Sequence, residues 1–177
     1  KAHWERVYGT KAPDAVSWYR PHLERSLQLI ERIAPDRGSA IIDVGGGEAT
    51  LVDDLTGLGY RDVTVLDISE TALSVARARL GPAAVPVHWI AGDVTRVDLP
   101  ERRWDLWHDR AVFHFLTAAA SQEAYVARVA RSVKHGGHAL IATFGPEGPK
   151  QCSGLDVVRY DAETLHGRFG ASFRLEE

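Results

Sequence analysis

The residues able to do chemistry gather at one glycine run and the acid-bearing ends of apolar segments. Ala40-Ile41-Ile42-Asp43-Val44 leads straight into Gly45, Gly46 and Gly47, followed by Glu48-Ala49. A short apolar run ending in an acid, then glycines, then a helical pattern reads as a buried strand, a tight turn and a helix N-terminus. Glycine lets backbone approach a ligand, because no Cβ intervenes and positive φ is open to it. Val63-Thr64-Val65-Leu66-Asp67 is a second apolar strand ending in an acid. A carboxylate at that tip is placed to accept two hydrogen bonds from a ribose diol. Trp104-Asp105-Leu106-Trp107-His108-Asp109 ends in a titratable pair, at the kind of strand tip where such sheets hold ligands. His108 and Asp109 are therefore the acid/base candidates. The competing reading has Asp109 orienting a backbone turn or Arg110, and His108 packed against a helix.

Two ligand classes share this arrangement, and the turn separates them. A dinucleotide fold wants Gly-x-Gly-x-x-Gly, its third glycine allowing close helix–strand packing. Here Thr50 stands at the third position, and Glu48 in the first helical turn repels a pyrophosphate. No Gly-Lys-Ser/Thr run occurs, so a ligand without phosphates suits the loop better.

The elements that must position these residues alternate between strands and helices. Leu23, Leu27, Ile30 and Ala34 recur at helical spacing with Pro21 at a first-turn position, and Pro35-Asp36-Arg37-Gly38 stops that helix. After the glycine turn, Leu51, Val52, Leu55 and Leu58 mark a helix closed by Gly59. Ser69 caps a helix through Leu80 that ends at Gly81-Pro82. Val87 to Ala91 reads as strand three and 104–109 as strand four. A helix spans about 122–133, and His138 to Phe144 is strand five. A Gly/Pro-rich loop covers 145–154, Asp161 caps a short helix through Phe169, and Ser172 to Leu175 begins a sixth strand. Near-continuous apolar strands alternating with helices predict an α/β fold: a three-layer αβα sandwich around a mostly parallel Rossmann-like sheet. One domain over 1–177 is expected, with a lid segment at 1–37, a ligand-binding core at 38–144 and an acceptor-side segment at 145–177.

Composition narrows the setting. The chain has 177 residues, 45% hydrophobic content and a formal net charge of −3, which gives one well-cored domain and no basic footprint for nucleic acid. Its longest apolar runs fall far short of the ~20 residues of a bilayer span, so no membrane role is expected. One cysteine, Cys152, excludes an internal disulfide or a Cys-based zinc cluster, and fits a reducing cytoplasmic setting. The eight histidines include no His-x-x-x-His pair, so no metal is expected. His114 sits in an apolar run and is expected as a satisfied core histidine. No methionine occurs, even at position 1, so the chain is expected to lack its natural start.

Taken in order, these motifs resemble those of the class I S-adenosylmethionine-dependent methyltransferases over nearly the whole chain. Asp43-Val44-Gly45-Gly46-Gly47 is similar to that family's first motif, Asp67 to its ribose-binding acid and Gly92-Asp93-Val94 to its adenine-binding turn. Residues 104–109 running into Ala111 to Leu116 resemble its fourth strand and hinge, and Lys134-His135-Gly136-Gly137 the turn before strand five. The resemblance implies S-adenosyl-L-methionine as cofactor. It puts the backbone of Gly45, Gly46 and Gly47 against the methionine part, and has Asp43 hold the turn or receive the ammonium through water. Asp67 then binds the ribose hydroxyls with Ile68 against adenine, Asp93 accepts from the adenine amino group, and Val94 supplies apolar contact. His108 and Asp109 face the methyl group and the acceptor. Trp4, Tyr8, Trp18 and Tyr19 form a lid whose ring faces suit a sulfonium. The family's sheet usually finishes with an antiparallel pair, and the chain stops at Glu177 before the last of these. An open edge is a pairing hazard, so a missing tail is expected.

The acceptor is less legible. No Asn-Pro-Pro-Tyr-type run follows strand four, which leaves a small molecule (thiol, amine or carboxylate) first and a protein lysine second. Cys152, Arg159 and Tyr160 are minority candidates for the acceptor side. A non-catalytic scaffold and an NAD-dependent oxidoreductase are the rival functional classes.

Overall fold

The computed structural model describes residues 1–10 and 19–177. At its centre lies a parallel sheet made of β1 (Ala40–Val44), β2 (Asp62–Asp67), β3 (His88–Ala91), β4 (Trp104–Arg110) and β5 (Val133–Ala142), in the order β3-β2-β1-β4-β5. Alternate residues of one strand face opposite sides, so each strand serves two cores. Ile41 and Leu106 join Leu51, Leu55 and Leu73 on one face. Ile42 and Trp107 join Trp104, Phe113 and Tyr125 on the other. Both faces are covered, which is why the inner strands read as continuous apolar runs.

The helices are α1 (Ala2–Thr10), α2 (Glu24–Ile33), α3 (Leu51–Gly57), α4 (Glu70–Leu80), α5 (Ala119–Ser132) and α6 (Ala162–Phe169). Two caps follow the expected chemistry. Ser69 Oγ accepts from the Ala72 N–H at the start of α4, and Asp161 and Thr164 form a reciprocal capping box on α6. Gly59, with φ +87°, turns the chain just past α3, as its type predicts.

Several expectations need correction. Residues 2–10 form a helix that the aromatic-rich opening did not announce. Pro21 precedes α2 rather than sitting in its first turn. β5 starts at Val133: its register against β4 jumps between Trp104 and Leu106, and the bulge holds the Lys134–Gly137 turn. The loop at 145–154 contains strand β6 (Gln151–Cys152), which pairs antiparallel with β7 (Leu155–Asp156). Ser153 and Gly154, with φ +52° and +74°, supply the two-residue turn that such a hairpin needs. No sixth strand forms at 172–175. A 3₁₀ turn over Gly170–Ser172 folds the chain back, and the Phe173 carbonyl bonds to His166 Nε2 instead of a neighbouring strand.

Candidate active site

Strand order reverses between β1 and β4, and crevices in open parallel sheets form at the carboxyl ends of strands flanking such a reversal. A cavity of about 210 Å³ lies there. The glycine turn, Asp67-Ile68 after β2 and Gly92-Asp93-Val94 after β3 form one side of it; His108 and Arg110 on β4 form the other. Trp4 and Tyr8 of α1, together with Tyr19, Phe115 and Leu116, complete an aromatic and apolar wall. Trp18 lies outside the described residues.

The turn needs its glycines. Gly45 and Gly47 have φ of +71° and +47°. A Cβ on Gly46 would lie 2.6 Å from both Asp43 Oδ2 and Val65 Cγ1, and one on Gly45 would lie 2.0 Å from Val112 Cγ2. A Cβ on Gly47 would meet the Tyr8 hydroxyl at 2.9 Å and Asp67 Oδ2 at 3.1 Å. Val112 and Tyr8 therefore pack on the bare backbone that the resemblance assigns to the methionine part.

Asp67 is buried, and its Oδ1 accepts from the Ser69 N–H at 2.8 Å. Burial pushes its carboxyl up to about 7, with the Ser69 bond pulling the other way and the nearby Asp43 charge adding to the rise. Asp93 lines the cavity, but its Oδ1 already accepts from the Thr95 amide at 2.9 Å and the Thr95 hydroxyl at 2.7 Å. Ile68 and Val94 present apolar surface to the same space.

The strand-four pair has the geometry of the competing reading, a turn-orienting acid and a histidine against a helix, and not that of an acid/base pair. Asp109 is fully buried and is not part of the cavity lining. Its carboxylate accepts from the Val112 and Phe113 amides at 2.7 and 3.0 Å and from the Tyr125 hydroxyl. Alternation turns it to the face opposite His108, so it cannot reach an acceptor; burial pushes its carboxyl up to about 6. His108 reaches the cavity wall, yet both its ring nitrogens are engaged. Nδ1 lies 2.7 Å from Asp43 Oδ1 and Nε2 lies 2.9 Å from Ser26 Oγ. A carboxylate only accepts, so Nδ1 carries the proton. The β1–β4 register puts Asp43 and His108 side by side, and the pair stiffens the crevice floor rather than offering a free base.

Other candidates sort just as plainly. Cys152 lines the cavity. Arg159 does not; its Nη1 holds the Pro146 and Gly148 carbonyls. Tyr160 belongs to the core. His114 is buried but unsatisfied, with neither ring nitrogen partnered, and burial pushes it down to about 4. Arg20, Arg110 and Ser26 were missed. Arg110 had a signal, its place directly after a strand-tip acid; Ser26 had none, being one polar residue on an amphipathic helix.

Residues 41–137 fit the family model described as a methyltransferase domain. The chain belongs to the class I S-adenosylmethionine-dependent methyltransferases. Among curated relatives of this methyltransferase chain, the eEF1A lysine and N-terminal methyltransferase of Mus musculus is 23% identical over 148 residues, 80% of this chain and 21% of that protein. The UbiE ubiquinone/menaquinone biosynthesis C-methyltransferase of Roseobacter denitrificans is 27% identical over 119 residues, 66% of this chain and 46% of that one. The methyltransferase chain thus spans about a fifth of the first relative and under half of the second. A solved structure concerned with conversion of a disulfide bond into a thioacetal group during echinomycin biosynthesis superposes with a TM-score of 0.71. It is 22% identical, with 94% of this chain and 76% of that one covered. Among the described residues, no helix is long and apolar enough to cross a membrane, and no group of three metal-ligating side chains occurs.

Proposed function

We propose that the crevice binds S-adenosyl-L-methionine and that the chain methylates a small-molecule acceptor bearing a thiol, amine or carboxylate. The observation that carries the reading is the buried Asp67 at the tip of β2, beside a turn of three glycines and the apolar side chains of Ile68 and Val94. The residues present fit the cofactor. Asp67 lines the cavity while accepting from the Gly47 backbone, and Glu48 has a buried carboxylate oxygen with no partner. Both suit a ligand that brings donors and positive charge.

When bound, the cofactor supplies a methyl group activated by an adjoining sulfonium. The chain's own part is to bind and align. Asp67 accepts from the ribose hydroxyls, Asp93 takes the adenine amino group with the acceptor capacity that Thr95 leaves, and Trp4 and Tyr8 exclude water from above. Holding two reactants at attack distance is worth ~7–11 kcal/mol. A fixed general base adds about 10²–10⁴-fold, and Asp109 is not aimed to act as one. An acceptor that attacks without first losing a proton to the enzyme, such as a thiolate, a carboxylate or a neutral amine, suits this site.

A second reading, methylation of a protein lysine, draws support from the name of the mouse relative. The charge of the wall does not separate the two readings, because Arg20 and Arg110 line the cavity beside Asp43, Glu48, Asp67 and Asp93. The test is a screen of purified protein with methyl-labelled cofactor against thiols, amines, carboxylates and a cytosolic protein extract. Label in a small-molecule product supports the proposal. Label confined to protein supports the second reading, and label nowhere overturns both.

A further inference from the structure

Four carboxylates line the crevice: Asp43, Glu48, Asp67 and Asp93. Three of them already have work. Asp43 Oδ1 is bound to His108 Nδ1 at 2.7 Å, and its Oδ2 packs against Gly46. Asp67 accepts from the Ser69 amide, and Asp93 holds Thr95. Glu48 differs. It is 7% exposed, and its Oε2 has no hydrogen-bond partner. The nearest candidate to neutralise it is Arg79, whose guanidinium is used elsewhere. Arg79 Nη1 donates to the Glu48 carbonyl at 2.8 Å, Nη2 donates to the Ala49 carbonyl at 2.9 Å, and the Asp53 carboxylate answers its charge at 2.6 Å. Arg79 therefore clamps the backbone of the turn, and its charge reaches the Glu48 side chain with no hydrogen bond to Oε2.

A buried, unpaired carboxylate oxygen carries the full desolvation cost of its burial, and such groups persist where a ligand brings the missing donor. We propose that Glu48 receives the ammonium of the cofactor's amino-acid end, the task that the sequence reading gave to Asp43. The assignment rests on the cofactor reading above. Glu48 directly follows Gly47 and sits at the turn, where a tail extending from a ribose on Asp67 would run. Asp43 is thereby left to orient His108 and the floor of the crevice. Burial pushes the Glu48 carboxyl up, with Arg79 opposing.

The test is calorimetry with ligands that differ only in the tail. S-adenosylhomocysteine carries the whole amino-acid end, 5′-methylthioadenosine carries none of it, and the desamino analogue of S-adenosylhomocysteine lacks the ammonium alone. Glu48→Gln should weaken S-adenosylhomocysteine about tenfold and change methylthioadenosine less than about twofold. The desamino analogue should bind wild type and Glu48→Gln equally. Equal weakening of all three ligands, or no weakening of S-adenosylhomocysteine, overturns the proposal. If Glu48→Gln does not fold, judged by thermal unfolding, Glu48→Asp takes its place; it should lose affinity for S-adenosylhomocysteine and spare methylthioadenosine. A wild-type protein that binds the nucleoside ligands while ignoring the ammonium defeats this assignment alone. A wild type that binds none of them defeats the cofactor reading beneath it.

Discussion

Replacing Asp109 by alanine separates a structural acid from a catalytic one. The carboxylate is the acceptor for three buried donors: the Val112 and Phe113 amides and the Tyr125 hydroxyl. Each donor left unsatisfied costs about 1–3 kcal/mol, so the loss in stability is about 3–9 kcal/mol before relaxation. Its pH dependence can also be worked out. Burial raises the Asp109 carboxyl from 3.8 to about 6 in the fold, so the native state holds more protons than the unfolded state across that window. Wild-type stability from this group is therefore fully present below 3.8 and declines as pH rises through about 6. The decline amounts to about 3 kcal/mol at 1.36 kcal/mol per unit. Asp109→Ala has no such slope, so the difference between the two proteins should be largest near pH 4 and shrink toward pH 7. Urea unfolding at several pH values, read by tryptophan fluorescence, measures it. A loss below about 1 kcal/mol at every pH, together with a collapse in turnover, would refute the reasoning and return Asp109 to the chemistry.

Asp67→Asn should weaken S-adenosylhomocysteine by about 1.5–3 kcal/mol at pH 8, the scale of a hydrogen bond to a charged group, as read by calorimetry. Because the Asp67 carboxyl is pushed up to about 7, wild-type affinity should fall as pH drops below 7, and the Asn variant should lose that slope. A flat wild-type profile would contradict the ribose role. Glu5 holds α1 in place by accepting from Ser69 Oγ and the Glu70 amide at 3.0 Å each, on a helix with no fully buried residue of its own. Glu5→Ala should therefore speed tryptic cleavage after Arg6 and weaken S-adenosylhomocysteine a few-fold; unchanged cleavage would show that α1 is held by something else.

The inner strands β1, β2 and β4 were legible because they are buried on both faces and so read as apolar runs. Ser69, Gly59 and Asp161 did locally what their types predict. Where the reading failed, tertiary partners decided. Residues 172–175 alternate like a strand, but His166 takes the Phe173 carbonyl and the ladder does not form. Residues 2–10 have a weak helical pattern, and the helix is held by tertiary docking: Glu5 on α4, Trp4 against Phe115 and Tyr8 on the glycine turn. The site divides the same way. Asp43, Asp67 and Asp93 were readable from their places at strand tips. The roles of His108 and Asp109 turned on which face of β4 each occupies and on Ser26 and Tyr125, residues distant in sequence that no local pattern pairs with them.

The account stands most directly on one titration. S-adenosylhomocysteine added to the wild-type chain at pH 8 should give a saturable one-to-one isotherm, and NAD at the same concentrations should give none. No heat from S-adenosylhomocysteine up to near-millimolar concentration, or tighter binding of NAD, would contradict it.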